Sequence, residues 1–279
     1  MSSGALVGVE WLLERVGGEG VVVLDASVGA HRRKGPWIPG ALVFDIDGEM
    51  SDGGSAVPHT MLGEEQFGER VRELGIRAGD QVVVYDAAGI YSSARAWWML
   101  RAAGFERVAV LDGGLPAWVA AGGPTSAEPG EVPEREGDFA ARLAPGAFLG
   151  LEDVREALDG ASGVRVLDAR SRGRFAGTEP EPRAGLRGGH MPGAVNLPFG
   201  ELQDGEGRML PAAALRERFD ALAPGDGRLV VSCGSGVTAC VLALGAELAG
   251  HGERVSVYDG SWSEWGLEGT GTPVVTGKV

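Results

Sequence analysis

The feature that most constrains the fold is an internal repeat, since the second half of the chain repeats the pattern of the first. Apolar segments, charged turns and tryptophans recur in the same order in both halves. Three pairs of positions share one spacing of 147 residues: Asp86 and Cys233, Asp112 and Asp259, Trp118 and Trp265. A constant spacing over several segments indicates a tandem duplication, and the 279 residues suffice for two domains of ordinary size.

Each copy alternates short β-branched segments with longer helical ones. Residues 21–25, 81–85 and 107–111 have the composition of strands that are buried on both faces. The segment 93–104 has apolar residues at helical spacing and ends in Gly104, which predicts a helix and its stop. This alternation predicts an α/β fold in which each domain is a mainly parallel sheet flanked by helices.

The predicted boundaries follow from the repeat. The first domain covers 1–122, a linker rich in Gly, Pro, Ala and Glu covers 123–146, and the second domain covers 147–279. The alternative is a single domain in which that segment is a long surface loop, but the repeat argues against it.

The charge of the chain limits its partners. Its net charge is −14, which argues against nucleic acid and anionic membranes, although a locally basic site for a small anion remains compatible with it. No segment has the ~18 consecutive apolar residues of a membrane span, and Met1–Glu10 resembles no targeting signal. We therefore expect a cytoplasmic protein with free thiols at Cys233 and Cys240.

Cys233 is the candidate nucleophile. It ends an apolar strand and is followed by Gly234-Ser235-Gly236 and a helix predicted from about Val237. Glycines permit a tight curl of the backbone, and N–H groups at a helix start favour a thiolate or other anion. The alternative is a buried structural cysteine, which is the interpretation we favour for Cys240 within its apolar helix.

The segment 233–239, Cys-Gly-Ser-Gly-Val-Thr-Ala, resembles the active-site loop of the rhodanese family in its 3-mercaptopyruvate sulfurtransferase form. The resemblance extends along nearly the whole chain, including the segments 112–114, 190–194 and 259–262. It implies two tandem rhodanese-like domains, of which the first is inactive because Asp86 occupies the place of the cysteine. Thiosulfate enzymes of the family have Arg and Lys where this chain has Gly234 and Ser235.

The same resemblance suggests which residues bind substrate. Four arginines follow Asp168, and an arginine can bind a carboxylate bidentately. The family pattern implies that Arg174 and Arg183 bind the substrate. Arg170 and Arg172 are expected to be structural or exposed. The backbone of the cysteine loop, residues 233–238, is expected to complete the site through Gly234, Gly236, Val237 and Thr238. The alternative for the arginines is a solvated loop with surface ion pairs.

A proton relay is also implied by the resemblance. Carried over to this chain, it consists of Asp47, His59 and Ser235, in which the histidine moves a proton. The chain departs from the family here, because Thr60 separates His59 from Met61-Leu62 where the family has His-Met-Leu. The alternative for His59 is a histidine of a surface loop.

These observations predict a sulfurtransferase that takes sulfur from the small anion 3-mercaptopyruvate as a Cys233 persulfide. The sulfur then passes to cyanide, a thiol or a thioredoxin-like protein, with no cofactor and no metal. The closest rival is a thiosulfate:cyanide sulfurtransferase. A non-catalytic sulfur carrier is a second rival, and a cysteine phosphatase is a third, but Ala239 stands where a phosphatase has its arginine.

Overall fold

A computed structural model of the chain describes residues 4–159 and 163–277. Its residues divide into two compact units. The first unit consists of 1–54, 61–144 and 205–209, and the second consists of 55–60, 145–204 and 210–279. Two short segments, 55–60 and 205–209, are therefore grouped with the unit formed by the other half of the chain.

The described part of the first unit contains a five-stranded parallel sheet with the order β1-β5-β4-β2-β3. Its strands are β1 (Leu6–Val7), β2 (Val21–Asp25), β3 (Leu42–Val43), β4 (Gln81–Tyr85) and β5 (Val108–Leu111). Its helices are α1 (Val9–Leu13), α2 (Glu64–Glu73), α3 (Ser93–Ala102) and α4 (Gly114–Ala120).

The alternating side chains of the central strands are buried on both faces of this sheet. Val23 and Val83 pack with Leu12 of α1 and Trp118 of α4. Leu24, which points to the opposite face, is also fully buried, and α3 packs against β4 and β5. Strands covered on both faces explain why these segments are apolar without alternation.

The second unit has the same topology. Its described residues form a five-stranded parallel sheet with the order β6-β10-β9-β7-β8. The strands are β6 (Phe148–Leu149), β7 (Arg165–Asp168), β8 (Val195–Asn196), β9 (Leu229–Ser232) and β10 (Val255–Tyr258). The helices are α5 (Leu151–Asp159), α6 (Arg172–Ala176), α7 (Ala212–Leu222), α8 (Ala239–Ala249) and α9 (Ser261–Trp265). The predicted α/β class with parallel sheets is confirmed.

The segment predicted as a linker is packed on the first unit through residue 144. The backbone of Gly130 donates to the carbonyl of Ala41, and the carboxylate of Asp138 accepts from the backbone of Ala78. Phe139 is buried and packs edge-on against Phe105. The segment lacks helical or strand periodicity because its bonds are to other parts of the first unit rather than within itself. In the described ranges no helix has the length and apolar character needed to cross a membrane.

Candidate active site

Cys233 lies between β9 and α8, at the carboxyl end of the second sheet, and is 2% exposed. Gly236 has φ +74°, a conformation that glycine adopts without strain, so the backbone turns before the helix begins. The helix starts at Ala239, two residues later than the expected Val237, and both Val237 and Thr238 are buried in the preceding turn. The first N–H groups of a helix lack intrahelical acceptors, which gives this turn the character of an anion site.

The start of α9 holds the cysteine loop from the other side. The Oγ atom of Ser261 accepts from the backbone N–H of Cys233 at 3.0 Å and donates to the carbonyl of Tyr258. The backbone N–H of Trp262 donates to the carbonyl of Cys233. Ser261 has φ +50°, and these bonds on both sides keep this non-glycine residue in the left-handed region.

Arg174, on α6, lies beside the cysteine loop. A Cβ atom added to Gly234 would be 3.0 Å from Nη2 of Arg174. Gly234 has no positive φ, so glycine is favoured there by the close approach of the guanidinium rather than by backbone conformation. The structure thus brings Arg174 and the cysteine loop together, and the arginine's part in binding substrate stays a prediction.

Arg183 approaches the same residue through a serine. Its Nη1 atom lies 3.5 Å from Oγ of Ser263, and that hydroxyl donates to the carbonyl of Gly234 at 2.7 Å. Arg183 itself is exposed, whereas Arg174 is partly buried. Two arginines therefore flank Gly234, and together they make a suitable place for a small anion.

The other two arginines of the segment have different surroundings. Arg170 is fully buried and pairs with Asp168 and Glu181, while the exposed Arg172 pairs with Glu201. Burial opposes the charge of Arg170, but the two carboxylates beside it raise its pKa above the ordinary value.

His59 belongs to the second unit and contacts the cysteine loop. Its Nδ1 atom lies 2.9 Å from Oγ of Ser235, and Ser235 is 7% exposed. His59 has φ +62°, while the hydroxyl of the additional residue Thr60 donates to the carbonyl of Val57. The longer loop is thus folded back on itself and still presents the histidine to Ser235.

Asp47, the third residue of the expected relay, lies in the first unit. There its Oδ2 atom accepts from the backbone N–H of Gly29 at 2.6 Å. A carboxylate so held contributes to the turn at Gly29, and its part in proton transfer stays a prediction.

The first unit has Asp86 at the position that corresponds to Cys233. Its Oδ2 atom accepts from the backbone N–H groups of Tyr91, Ser92 and Ser93, and Oδ1 accepts from that of Ala88. The N–H groups at the start of α3 thus bind the carboxylate of their own chain. A cavity of about 300 Å³ remains beside Asp86.

Three residues of the site were missed by the sequence analysis. Glu181, Ser261 and Ser263 contact Arg174, Cys233 and Gly234 respectively. Glu181 could have been found as the acidic residue between two arginines expected to bind substrate, and the serines as hydroxyls within the repeated Asp-Gly segment at 259–263.

Cys240 lies inside α8 and is fully buried. Its sulfur lies 3.3 Å from the carbonyl oxygen of Gly236, and Cys233 and Cys240 are not joined by a disulfide. Within 4–159 and 163–277 no group of three or more His, Cys, Asp or Glu side chains is arranged to hold a metal ion.

The chain is similar to several known proteins. The model of the Rhodanese-like domain matches residues 8–121 and 151–268. The human 3-mercaptopyruvate sulfurtransferase is 41% identical over 94% of this chain and 91% of its own. The thiosulfate/3-mercaptopyruvate sulfurtransferase 1, mitochondrial, of Arabidopsis thaliana is 38% identical over 96% of this chain and 77% of its own.

A solved structure is similar as well. The crystal structure of SseA from Escherichia coli, described among 3-mercaptopyruvate sulfotransferases, superposes with a TM-score of 0.78 and 35% identity. The match covers 94% of this chain and all of SseA.

Proposed function

The chain belongs to the rhodanese family and is a sulfurtransferase, and from that premise we propose that it carries sulfur from 3-mercaptopyruvate on Cys233. The observation that carries the proposal is the position of Cys233. It is held in the turn between β9 and α8 by Ser261 and lies in a loop flanked by Arg174 and Arg183.

The proposed reaction has two halves. In the first, the Cys233 thiolate attacks the sulfur of 3-mercaptopyruvate, so that an S–S bond forms and the C–S bond breaks. The electron pair of the broken bond goes to carbon and gives the enolate of pyruvate, which then takes a proton. In the second half, cyanide, a small thiol or a thioredoxin-like dithiol attacks the outer sulfur and releases the thiolate.

The two arginines would bind the carboxylate and keto oxygen of the donor. The backbone N–H groups of the cysteine loop, from Gly234 to Thr238, would stabilise the persulfide. These roles are supported by the approach of both arginines to Gly234.

His59 and Ser235 would supply the proton to the enolate. Their contact of 2.9 Å supports a transfer from the imidazole through the serine hydroxyl. The third residue in this proposal is Asp47, whose carboxylate would orient the relay.

Thiosulfate is the second candidate donor, because the Arabidopsis relative is named for both donors. Thiosulfate enzymes have basic residues in the loop itself, whereas the neutral Gly234 and Ser235, together with Arg183, favour 3-mercaptopyruvate here.

We further propose a cytoplasmic location, and an inactive first domain (1–122) joined by residues 123–146 to a catalytic second domain (147–279).

The test uses purified protein treated with either donor in the absence of an acceptor. Mass spectrometry should find one added sulfur atom on wild type and on the control Cys240→Ser, and none on Cys233→Ser. The kcat/KM measured with cyanide should be higher for 3-mercaptopyruvate than for thiosulfate. A preference for thiosulfate would overturn the proposed donor, and sulfur loading of Cys233→Ser would overturn the proposed nucleophile.

A further inference from the structure

Glu181 is a buried carboxylate placed between two arginines. Its side chain is 1% exposed. One oxygen accepts from Nη1 of Arg170 at 2.8 Å, and the other accepts from Nη2 of Arg174 at 2.6 Å. The Nε atom of Arg174 lies 3.2 Å from that second oxygen as well, so Arg174 and Glu181 form a two-pronged pair.

The inner arginine of this group is rigidly held. Arg170 is fully enclosed, donates to Asp168 and to the carbonyl of Gly189, and lies 4.0 Å over the ring of Trp262. An arginine fixed by a carboxylate, a carbonyl and an aromatic face has little freedom to move. Glu181 is therefore bonded to a side chain that is held from several sides within the second unit.

The outer arginine reaches the site. The Arg174 side chain is 24% exposed, and its Nη2 atom is the atom nearest to a Cβ that would be added to Gly234. The pair with Glu181 engages its Nε–H and one Nη2–H, which leaves three of the five guanidinium N–H groups outside that pair. Glu181 thus fixes the orientation of a guanidinium whose Nη2 atom lies beside Gly234.

The charges of this group balance. Asp168 and Glu181 contribute two negative charges, and Arg170 and Arg174 contribute two positive ones. A buried group without net charge avoids the cost of an unpaired ion, but removal of one member leaves its partner uncompensated. The balance also means that Arg174 attracts a donor by directed hydrogen bonds more than by net charge.

We propose that Glu181 is a positioning residue for sulfur donors, one that holds the guanidinium of Arg174 at Gly234 so that it receives the carboxylate of the donor. The inference rests on the proposed function, in which Arg174 binds the donor. Glu181 acts through Arg174 and touches neither the donor nor the sulfur. Its role is to set the binding of carboxylate donors and not the later transfer of sulfur to an acceptor.

The test compares Glu181→Gln with wild type and with the matched control Glu179→Gln. Glu179 lies two residues away in the same segment, but it is exposed and its carboxylate accepts from Ser171. A misplaced guanidinium should raise the KM for 3-mercaptopyruvate and lower kcat/KM by about tenfold to a hundredfold. The KM for cyanide should stay at its wild-type value in Glu181→Gln. The melting temperature of the Glu179→Gln control should also stay at its wild-type value.

A double-mutant cycle separates positioning from a structural role. In an Arg174→Ala background, Glu181→Gln should cause no further loss of kcat/KM, because the residue through which it acts is already gone. The proposal would be overturned if the losses of kcat/KM from Arg174→Ala and Glu181→Gln multiplied in the double variant. It would also be overturned if Glu181→Gln alone lowered the KM for 3-mercaptopyruvate, because the charge of Arg174 would then act better without its partner. If Glu181→Gln fails to fold, Glu181→Asp provides the test, because a shorter carboxylate keeps the charge and should still raise the donor KM.

The outcome can be distinguished from failure of the proposed function. A wild-type protein that gains no sulfur on Cys233 from either donor would contradict the function itself. A wild-type protein that is active, with an equally active Glu181→Gln variant, would contradict only the positioning role.

Discussion

Nδ1 of His59 lies 2.9 Å from Oγ of Ser235, two residues beyond Cys233. This contact predicts a donor-dependent effect of His59→Ala. In the proposed reaction pyruvate would leave as an enolate that needs a proton, whereas thiosulfate would release sulfite, which needs none. We expect kcat with 3-mercaptopyruvate to fall by about a hundredfold and kcat with thiosulfate to change little. Steady-state kinetics with both donors measures this, and equal losses for the two donors would contradict the role in proton transfer.

The exposed His31 provides the control for that experiment. His31→Ala removes an imidazole from the first unit, and we expect wild-type kinetics with either donor.

Gly234→Ala should weaken donor binding without unfolding the protein. The added methyl group would lie 3.0 Å from Nη2 of Arg174, and the end of a long side chain can move away at little cost in stability. The displaced guanidinium should then raise the KM for 3-mercaptopyruvate by about tenfold. Gly200→Ala, where an added Cβ meets no atom within 4 Å, is the matched control. An unchanged KM for Gly234→Ala would show that Arg174 does not need its present position.

Asp86→Ala should destabilise the protein without changing the loading of sulfur onto Cys233. The carboxylate accepts four backbone N–H groups, of which those of Ser92 and Ser93 are buried, and a buried donor left without an acceptor costs about 1–3 kcal/mol. We expect the free energy of unfolding to fall by about 3 kcal/mol in urea, since water entering the adjacent cavity replaces part of the lost bonding. Sulfur loading of Cys233 in the folded variant should match wild type.

Asp52, in the same unit, is exposed and accepts one backbone N–H, from Gly54. Asp52→Ala should change the unfolding free energy by less than about 0.5 kcal/mol. Similar losses for both variants would show that the bonds to Asp86 have no special weight.

The burial of His190 predicts that the protein loses stability in mild acid. It is buried, stacks on Phe175 at 3.7 Å and bonds to the carbonyl of that residue through Nδ1. Burial lowers the pKa of His190 below its usual value of 6.5. The unfolded chain therefore binds a proton first as the pH falls, and stability drops from about pH 6.5 down through the lowered pKa, by at most about 1.4 kcal/mol per pH unit.

Urea unfolding at pH 7.5 and 5.5 tests this prediction. His190→Gln should reduce the difference between the two values, while His31→Gln should keep the wild-type difference. A wild-type difference that persists in His190→Gln would assign the acid sensitivity to other groups.

The fold could be predicted because its signals are local. Strands buried on both faces, such as β4, are short apolar segments, and α3 ends before Gly104, whose φ is +88°. The arginines and the cysteine loop could also be identified, because their motif is contiguous.

What could not be predicted depends on contacts between distant residues. The bond from Cys233 to Ser261 spans 28 positions, and nothing in the local sequence at 261 indicates a positive φ. Glu181 stands in a segment whose composition is typical of a solvated loop. Its side chain is nevertheless buried, beside the enclosed Arg170. The defined conformation of the segment 123–144 likewise comes from hydrogen bonds to other parts of the first unit, such as that between Gly130 and Ala41.

The grouping of residues 55–60 with the second unit has a consequence for fragments of the duplicated chain. His59 is encoded in the first copy but counts among the residues of the second unit. A cut at the boundary between the two copies, at residues 144 and 145, therefore separates His59 from Ser235. A fragment that starts at 145 is expected to lack the imidazole beside its cysteine loop, so both copies must be produced as one chain for that contact to form.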